Sequence, residues 1–439
     1  MSEEVGITMK IAVEKYKSIY EKKEITIDGL TILSGSNSSG KSSFMQPFLI
    51  LKQTLEKQYD SGFLIINGEN IKLTDAKQIL SKVNNNTDRK FSLAFTEDES
   101  SCSIIYEYKK GSGFIPKESS MLSSKMKNEV TLNLRMKHDE IKEMLGREKE
   151  FGFMDEYAKN KKIKPIWKTI KKKCFIIAEY RSPDRKASFF AAGVDPTYQL
   201  EKFIRSIIHV PGLRGNPERK YQIAESENVF PGSFEKYVAS IISMWGKSKK
   251  KDKHDLLVKQ LNYLGLASSI KTKRTDDTSI EINISRKIKN GDDDCVSVAD
   301  VGFGVSQTLP VLVALLVAKK GQHVYIEQPE LHLHPKAQFK LAEIIKSALD
   351  RGVKIIIETH SSLLIRGIQT KIARKEIENG KVSLNWFTQD EISGETIIDT
   401  KTPDEFGAFG DWPADFDDIS LYAEQQYLDA VEESIYGSL

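Results

Sequence analysis

Cysteine is scarce in this sequence: Cys102, Cys174 and Cys295 are 3 residues in 439, far apart and odd in number. They build neither a CxxC pair nor a disulfide framework, which points to a reducing cytosol. Long apolar runs are lacking too. The most apolar, residues 309–318, is about half the ~20 residues that span a bilayer, and it reads as a buried helix. Met1-Ser2-Glu3-Glu4 has none of the basic and apolar character of a signal peptide, so the expectation is a cytoplasmic protein with no membrane partner. A dominant charge is also missing: 65 Lys and Arg against 62 Asp and Glu leave a net +3. Whole-chain electrostatics therefore argues neither for nor against nucleic acid, and only local clusters can do so. No internal repeat and no sustained heptad pattern is present, which excludes a long coiled-coil arm.

What is present is a globular composition, 39% hydrophobic and 29% charged, in a chain long enough for two or three domains or one large core carrying an insertion. Residues 10–13, 24–27 and 30–33 have strand character, and a Gly/Ser-rich loop follows them. Phe44, Phe48, Leu51 and Leu55 then recur at helical spacing over 41–55. Further strands are expected within 91–107 and at 130–134. The Lys/Glu-rich stretch 137–173 is expected to be helical, as are 200–208 and 234–245. Residues 247–253 read as an exposed basic loop and 278–288 as a strand. After Val298 the rhythm becomes that of a parallel α/β unit: helix 306–318, strand 324–326, helix 335–349, strand 353–357, helix 361–374.

Gly35-Ser36-Asn37-Ser38-Ser39-Gly40-Lys41-Ser42 matches the P-loop pattern GxxxxGK[ST] in full, between a strand and a helix. Glycines let such a loop curl until successive amides converge on phosphate oxygens at a helix N-terminus. Lys41 is expected to neutralise the β- and γ-phosphates of ATP, and the Ser42 hydroxyl to ligate Mg²⁺. Val324-Tyr325-Ile326-Glu327 is an apolar strand ending in a carboxylate, and Glu327 is expected to hold the metal's hydration shell. Gln328 follows, a neutral amide that orients water but cannot take its proton. Glu330, beyond Pro329, is the candidate substitute base. His360 closes the next strand and is placed to sense the γ-phosphate.

Asp300-Val301-Gly302-Phe303-Gly304-Val305-Ser306-Gln307 is a glycine-rich turn opening an apolar helix, a second anion-binding element or a plain helix N-cap. One nucleotide cannot easily touch two such helix starts of one head. The economical arrangement is a head-to-tail homodimer in which each turn seals the partner's γ-phosphate.

The order of these elements resembles the ABC-type ATPases of the RecF/SMC/overcoming-lysogenization group. Tyr16-Lys17-Ser18-Ile19 ahead of the loop, which runs on into Ser43, is similar to that group's FKSI…GxNxxGKSS. Glu327-Gln328-Pro329-Glu330-Leu331-His332-Leu333-His334-Pro335 resembles its DEPExHLHP, and His360 and the 300–307 turn fall in order. The signature serine's place stays open among Gly302, Gly304 and Ser306. A bacterial subfamily linked to anti-phage systems carries EQPE, a GLRxxPER-like segment and a closing WPxxF. This chain has Gly212-Leu213-Arg214-Gly215-Asn216-Pro217-Glu218-Arg219 and Trp412-Pro413-Ala414-Asp415-Phe416. The resemblance implies that Gln328 is the subfamily's normal residue. It also implies that His332, His334 and Pro335 belong to a D-loop facing the opposite protomer rather than to a metal site.

The fold implied is α/β, a P-loop NTPase ABC-type ATPase head with a mixed α+β insertion. Residues 1–110 would form the N-terminal half of the head, 111–290 the insertion and 291–439 the C-terminal half. Relatives in the group append a Toprim nuclease, for which 381–439 is too short. Asp411, Asp415, Asp417 and Asp418 read as solvated surface, so a nuclease would be a separate partner. The leading expectation is an ATP-driven dimeric switch acting on a separate effector. The alternatives are a slowly hydrolysing nucleotide-stabilised scaffold, and a RecF-like ATPase that grips DNA through 168–173 and 247–253. No NKxD guanine-reading motif is present, and the insertion does not look like a transporter coupling domain.

Overall fold

The computed structural model describes residues 8–85, 88–124, 126, 128–146, 166–181, 192–224, 229–248, 251–285, 294–410 and 425–429. The 412–416 motif, the four tail aspartates, Lys249 and Lys250 lie outside the described residues.

The chain folds around one sheet whose order is β11 (Ile208–Val210), β16 (His323–Glu327), β17 (Lys354–Glu358), β3 (Leu30–Gly35), β18 (Val382–Gln389) and β19 (Thr396–Lys401). All neighbours pair parallel except β18 with β19. Strands β16 and β17 are near-continuous apolar runs because both of their faces are covered. Successive side chains point to opposite faces, and the two cores divide them accordingly. Val324, Ile326, Ile355 and Ile357 enter one core, with helices α4 (Val238–Lys247), α5 (Asp252–Leu264), α6 (Phe303–Val317), α7 (Pro335–Asp350) and α8 (Ser362–Ala373). Tyr325, Ile356 and Leu33 enter the other, with helices α1 (Lys41–Leu55) and α3 (Tyr198–Ser206).

The second core is roofed by an antiparallel sheet of order β2 (Lys23–Thr26), β1 (Met9–Glu14), β4 (Lys90–Glu97), β5 (Ser100–Lys109), β6 (Gly113–Leu122) and β7 (Val130–Asn133). Phe203 of α3 joins the two layers: it stacks on Phe95 at 5.2 Å and meets Phe48 edge-on at 6.2 Å. Two smaller sheets complete the fold. One is β10 (Ala192–Val194), β9 (Phe175–Arg181) and β8 (Ile166–Lys172), packed with helix α2 (His138–Gly146). The other joins β12 (Tyr221–Gln222), β14 (Ser279–Ser285) and β13 (Ser269–Arg274), with β15 (Cys295–Ser297) pairing β14. Among the described residues no helix is long and apolar enough to cross a membrane.

The structure corrects several expectations. Of the stretch expected to be helical over 137–173, His138–Gly146 is a helix, 147–165 lie outside the described residues, and Ile166–Lys172 is a strand. There Trp167 and Thr169 turn inward while Ile166, Lys168 and Lys172 face out, a period of two that the lysines disguised. The helix expected over 200–208 ends at Ser206, and the β-branched Ile207-Ile208 passes into the edge strand β11. Asp252 and Lys253 are not loop residues: they open α5, and the Lys253 ammonium lies over the Trp245 ring at 5.7 Å. Helix α6 begins at Phe303, three residues before the expected start, with Gly302 extended as its N-cap. Strands β6, β9, β10, β12, β13, β15, β18 and β19 were not anticipated.

His323 opens β16 fully buried, with its ring edge-on to Phe203 at 4.9 Å and Nε2 3.3 Å from the Ile27 carbonyl. Burial pushes its pKa down to about 3. The unfolded chain therefore takes up this proton first, and stability falls as pH drops below the unfolded value near 6.5. The cost is about 1.4 kcal/mol per pH unit, or roughly 2 kcal/mol by pH 5. Unfolding free energies from urea titrations at pH 7.5 and 5 are expected to differ less in His323→Gln than in wild type by about this amount. An identical acid loss in both proteins would refute it.

Candidate nucleotide site

Strand β3 ends at Gly35, and helix α1 starts at Lys41. Glycine is required at both ends of the loop between them. A Cβ on Gly35, at φ 137°, would lie 2.0 Å from the Phe387 carbonyl oxygen, and one on Gly40, at φ 104°, would lie 2.4 Å from Thr396 Oγ1. Ser36, Asn37 and Ser38 form the exposed rim, Ser38 in the left-handed region at φ 63°. Ser39 is buried, donating from Oγ to the Ser36 carbonyl at 2.8 Å. Thr396, at the start of β19, donates to the Ser39 carbonyl at 3.0 Å and so braces the loop from outside.

The Lys41 ammonium is folded into this loop, only 4% exposed, donating to the carbonyls of Gly35 (3.1 Å) and Ser36 (2.6 Å). No carboxylate among the described residues pairs with it. Burial lowers its pKa, and the charge of Glu358 partly offsets that. Ser42, in the first turn of α1, donates from Oγ to Glu358 Oε1 at 2.8 Å. Ser43 follows, half-buried.

Parallel register sets Glu327 and Glu358 side by side at the ends of β16 and β17. Their partners differ. Glu327 Oε1 lies 3.0 Å from His209 Nε2, and Oε2 accepts the Gly212 amide at 3.0 Å. The His209 ring is stacked on Tyr325 at 5.3 Å, and its Nδ1 is 3.0 Å from Asn70 Oδ1. Burial would raise the Glu327 pKa, but the His209 and Gly212 hydrogen bonds outweigh it and hold the carboxyl below its ordinary value. Glu358, 4% exposed, bonds Ser42 through one oxygen and the Tyr325 hydroxyl (3.2 Å) through the other. Burial, reinforced by Glu327, raises its pKa.

Gln328 sits at φ 45°, a strained conformation for a non-glycine residue, held by its amide's 2.7 Å bond to the Glu358 carbonyl. Arg214 holds this turn. Its Nη2 donates to the carbonyls of Glu327 (2.7 Å) and Gln328 (3.2 Å), and its Nη1 to that of Gln307 (3.0 Å). Gln307 answers with its amide to the Arg214 and Gly215 carbonyls, at 3.2 and 3.1 Å. Gln307 is thus turned inward, tying α6 to the Glu327 turn of its own chain. Burial lowers the Arg214 pKa to about 10. Glu330 accepts the His360 amide at 2.9 Å through Oε1, while Oε2 is buried with no hydrogen-bond partner; burial raises its pKa. His360 is half-buried, and burial, with Lys41 nearby, lowers its pKa.

Gly302, Gly304 and Ser306 lie at the start of α6, with Ser306 Oγ bonded to the Phe303 carbonyl at 3.1 Å. The Phe303 ring rests against His332 at 5.6 Å. His334 caps α7, accepting the Lys336 amide at 3.3 Å, with Pro335 as the first helical residue. Among the described residues no three His, Cys, Asp or Glu side chains are grouped to hold a metal ion. Lys41, Ser42, Glu327, Gln328, Glu330 and His360 meet at one edge of the sheet, whereas Ser306 belongs to the neighbouring α6 start. Sequence reasoning missed Glu358, His209 and Arg214. Glu358 ends its apolar run as Glu327 does, which was a usable signal. His209 lay just past a segment taken for a helix, and Arg214 carried no assigned role.

Arg214→Ala removes the donor from three carbonyls, one buried and two half-buried, which is expected to cost about 3 kcal/mol. Arg214→Lys is expected to recover little, since an ammonium cannot fork between α6 and the Glu327 turn. Denaturation midpoints of the two variants check this, and unchanged midpoints would refute it.

Residues 158–366 match the family model described as "AAA domain, putative AbiEii toxin, Type IV TA system". No curated protein matches the sequence. Among solved structures, an SmcHead bound to the C-winged helix domain of ScpA is 12% identical, covering 90% of this chain and 98% of that one at a TM-score of 0.45. The SMC head domain from Thermotoga maritima is 9% identical over 89% and 98% at 0.35. An Smc head domain with an extended coiled coil, bound to the C-terminal domain of ScpA derived from Pyrococcus furiosus, is 11% identical over 97% and 99% at 0.43. The matched segment contributes β11, β16 and β17 to the same α/β sheet as β3, the strand that leads into Gly35.

Proposed function

We propose that this protein is an ATP-binding, ATP-hydrolysing switch that closes as a homodimer and acts on a separate effector or nuclease protein. The observation that carries the reading is the buried Lys41 ammonium, held by two carbonyls with no carboxylate counterpart, inside a loop that only glycine can trace. A buried cation left so poorly compensated calls for an anion. A triphosphate tail at the N-terminus of α1 supplies it.

The oxygen donors beside it suit magnesium: the Ser42 hydroxyl and the Glu327 and Glu358 carboxylates are hard ligands of the kind that accompany substrate phosphates. Magnesium, when bound, offsets charge on the phosphate oxygens. The chain's own groups do the rest. The loop amides and Lys41 grip the phosphates, and His360 donates toward the γ-phosphate. Gln328, pinned by Arg214, orients the attacking water without accepting its proton. Glu330 keeps one unpartnered oxygen, with which it acts as the substitute base through an intervening water. The starts of α6 and α7, with Gly302, Gly304, Ser306, His334 and Pro335, face the partner head. The family description names a Type IV TA system, and the proposal places the switch in the cytoplasm, in anti-phage defence.

The DNA-gripping alternative finds less support. Lys171 donates to the Gly62 carbonyl at 2.7 Å, and Lys173 to those of Leu55 and Lys57 at 2.6 and 2.8 Å, so both ammoniums close backbone ends beyond α1.

Lys41→Ala is expected to lose about 10- to 100-fold in ATP affinity, the worth of one charged hydrogen-bonding group. Undiminished affinity would sink the site. Solution mass with and without ATP and Mg²⁺ is expected to shift from monomer to dimer, and a monomer in both conditions would sink the switch. Phosphate release abolished by Glu330→Ala favours the enzyme, whereas slow release indifferent to it favours a nucleotide-stabilised scaffold.

A further inference from the structure

Two carboxylates end adjacent strands at this site, and their hydrogen bonds set them apart. Both Glu327 oxygens are held by nitrogen donors, His209 Nε2 and the Gly212 amide, and Glu327 makes no hydrogen bond to Ser42. The amide is fixed backbone, and the His209 ring is clamped between the Tyr325 face and Asn70. Glu358 instead holds two hydroxyls, those of Ser42 and Tyr325. A hydroxyl has one proton and two lone pairs. With its proton committed to Glu358, Ser42 presents its lone pairs elsewhere, free to meet a cation. Strand β17 lies between β16 and β3, so Glu358 is a strand closer to the P-loop than Glu327 is. Tyr325, fully buried, fixes the far oxygen and with it the carboxylate plane.

We propose that Glu358 is the carboxylate beside the metal that accompanies ATP. It orients the Ser42 hydroxyl toward that metal and holds the metal's water shell, while Glu327 stands behind it, positioned by His209 and Gly212. This rests on the reading that the Gly35–Ser42 loop binds ATP with Mg²⁺. It goes beyond that reading by assigning the acidic ligand to the strand that ends in His360.

The test is how much Mg²⁺ strengthens nucleotide binding, measured on the full chain with a fluorescent, non-hydrolysable ATP analogue in Mg²⁺ and in EDTA. Glu358→Gln keeps an acceptor for Ser42 and nearly the same shape, so a merely structural role survives it. The Mg²⁺ advantage is expected to fall 10- to 100-fold in this variant, the usual cost of losing a carboxylate in a metal's immediate surroundings. Affinity in EDTA is expected to stay level or rise, since a negative charge beside the phosphates is gone. Glu358→Asp, which keeps the charge, is expected to retain part of the advantage, and it serves as the test if the glutamine variant does not fold. Glu327→Gln is expected to lose less than Glu358→Gln. An intact Mg²⁺ advantage in Glu358→Gln, with loss confined to Glu327→Gln, overturns the assignment. A wild type with no nucleotide affinity in either buffer overturns the P-loop reading itself, and this inference with it.

Discussion

Parallel pairing of β17 with both of its neighbours brings the rest of the site into line. Glu358 is level with Leu33 on one side and with Glu327 on the other. Immediately beyond, the Thr359 amide donates to the Leu33 carbonyl at 3.0 Å, and Ser34 Oγ donates to the Thr359 carbonyl at 2.9 Å. Three strand ends are thereby fixed at one height, and the loops that leave them emerge on one edge. The carboxyl edge of a parallel sheet is where such folds bind ligands, because the loops there are free of the sheet's own hydrogen bonding. A shift of one residue in the β17 register would turn Glu358 and Ile357 about and empty the site of its central side chain.

That geometry forces five charged groups into a small, largely dry space, and each is compensated differently. Glu327 rests on a ring nitrogen and an amide, and Glu330 on one amide. Arg214 is spread over carbonyls of two elements. Glu358 has two hydroxyls, and Lys41 has two carbonyls. Carbonyl dipoles are weak substitutes for a counter-charge in such surroundings. Lys41 is thus a cation compensated by dipoles alone, and it lies beside a rim of exposed polar residues at the helix N-terminus. The asymmetry is electrostatic preorganisation: the cost of desolvating the cation is met in folding rather than at the moment of binding.

The parts of this arrangement that local rules govern were legible in the sequence. Gly35 to Ser42 could be read because its glycines are demanded by backbone conformation and its helix by apolar spacing, and helix 41–55 was placed to the residue. The strands ending in Glu327 and Glu358 were legible as apolar runs. What escaped was fixed by distant pairing. His209 has its role only because β11, three residues long, adds to the edge of a sheet whose next strand lies more than a hundred positions later. Arg214 acquires its function from carbonyls on α6 and β16, which no local pattern reveals. The strand Ile166–Lys172 was hidden because its lysines lie on the outer face, where composition suggests a solvated helix and only tertiary packing decides.

The bracing of the P-loop has a consequence for how the chain is made. Strand β3 is Leu30–Gly35, yet both of its sheet neighbours come more than three hundred positions later: β17 on one side, β18 on the other. Gly35 abuts Phe387, and Gly40 abuts Thr396. During translation, therefore, an apolar strand with two open edges waits through most of synthesis before its partners emerge from the ribosome. Such edges invite wrong pairing, and closing them across so long a span is slow. Closure of the loop that follows β3 should thus await the emergence of β17 and β18 rather than that of β3 itself.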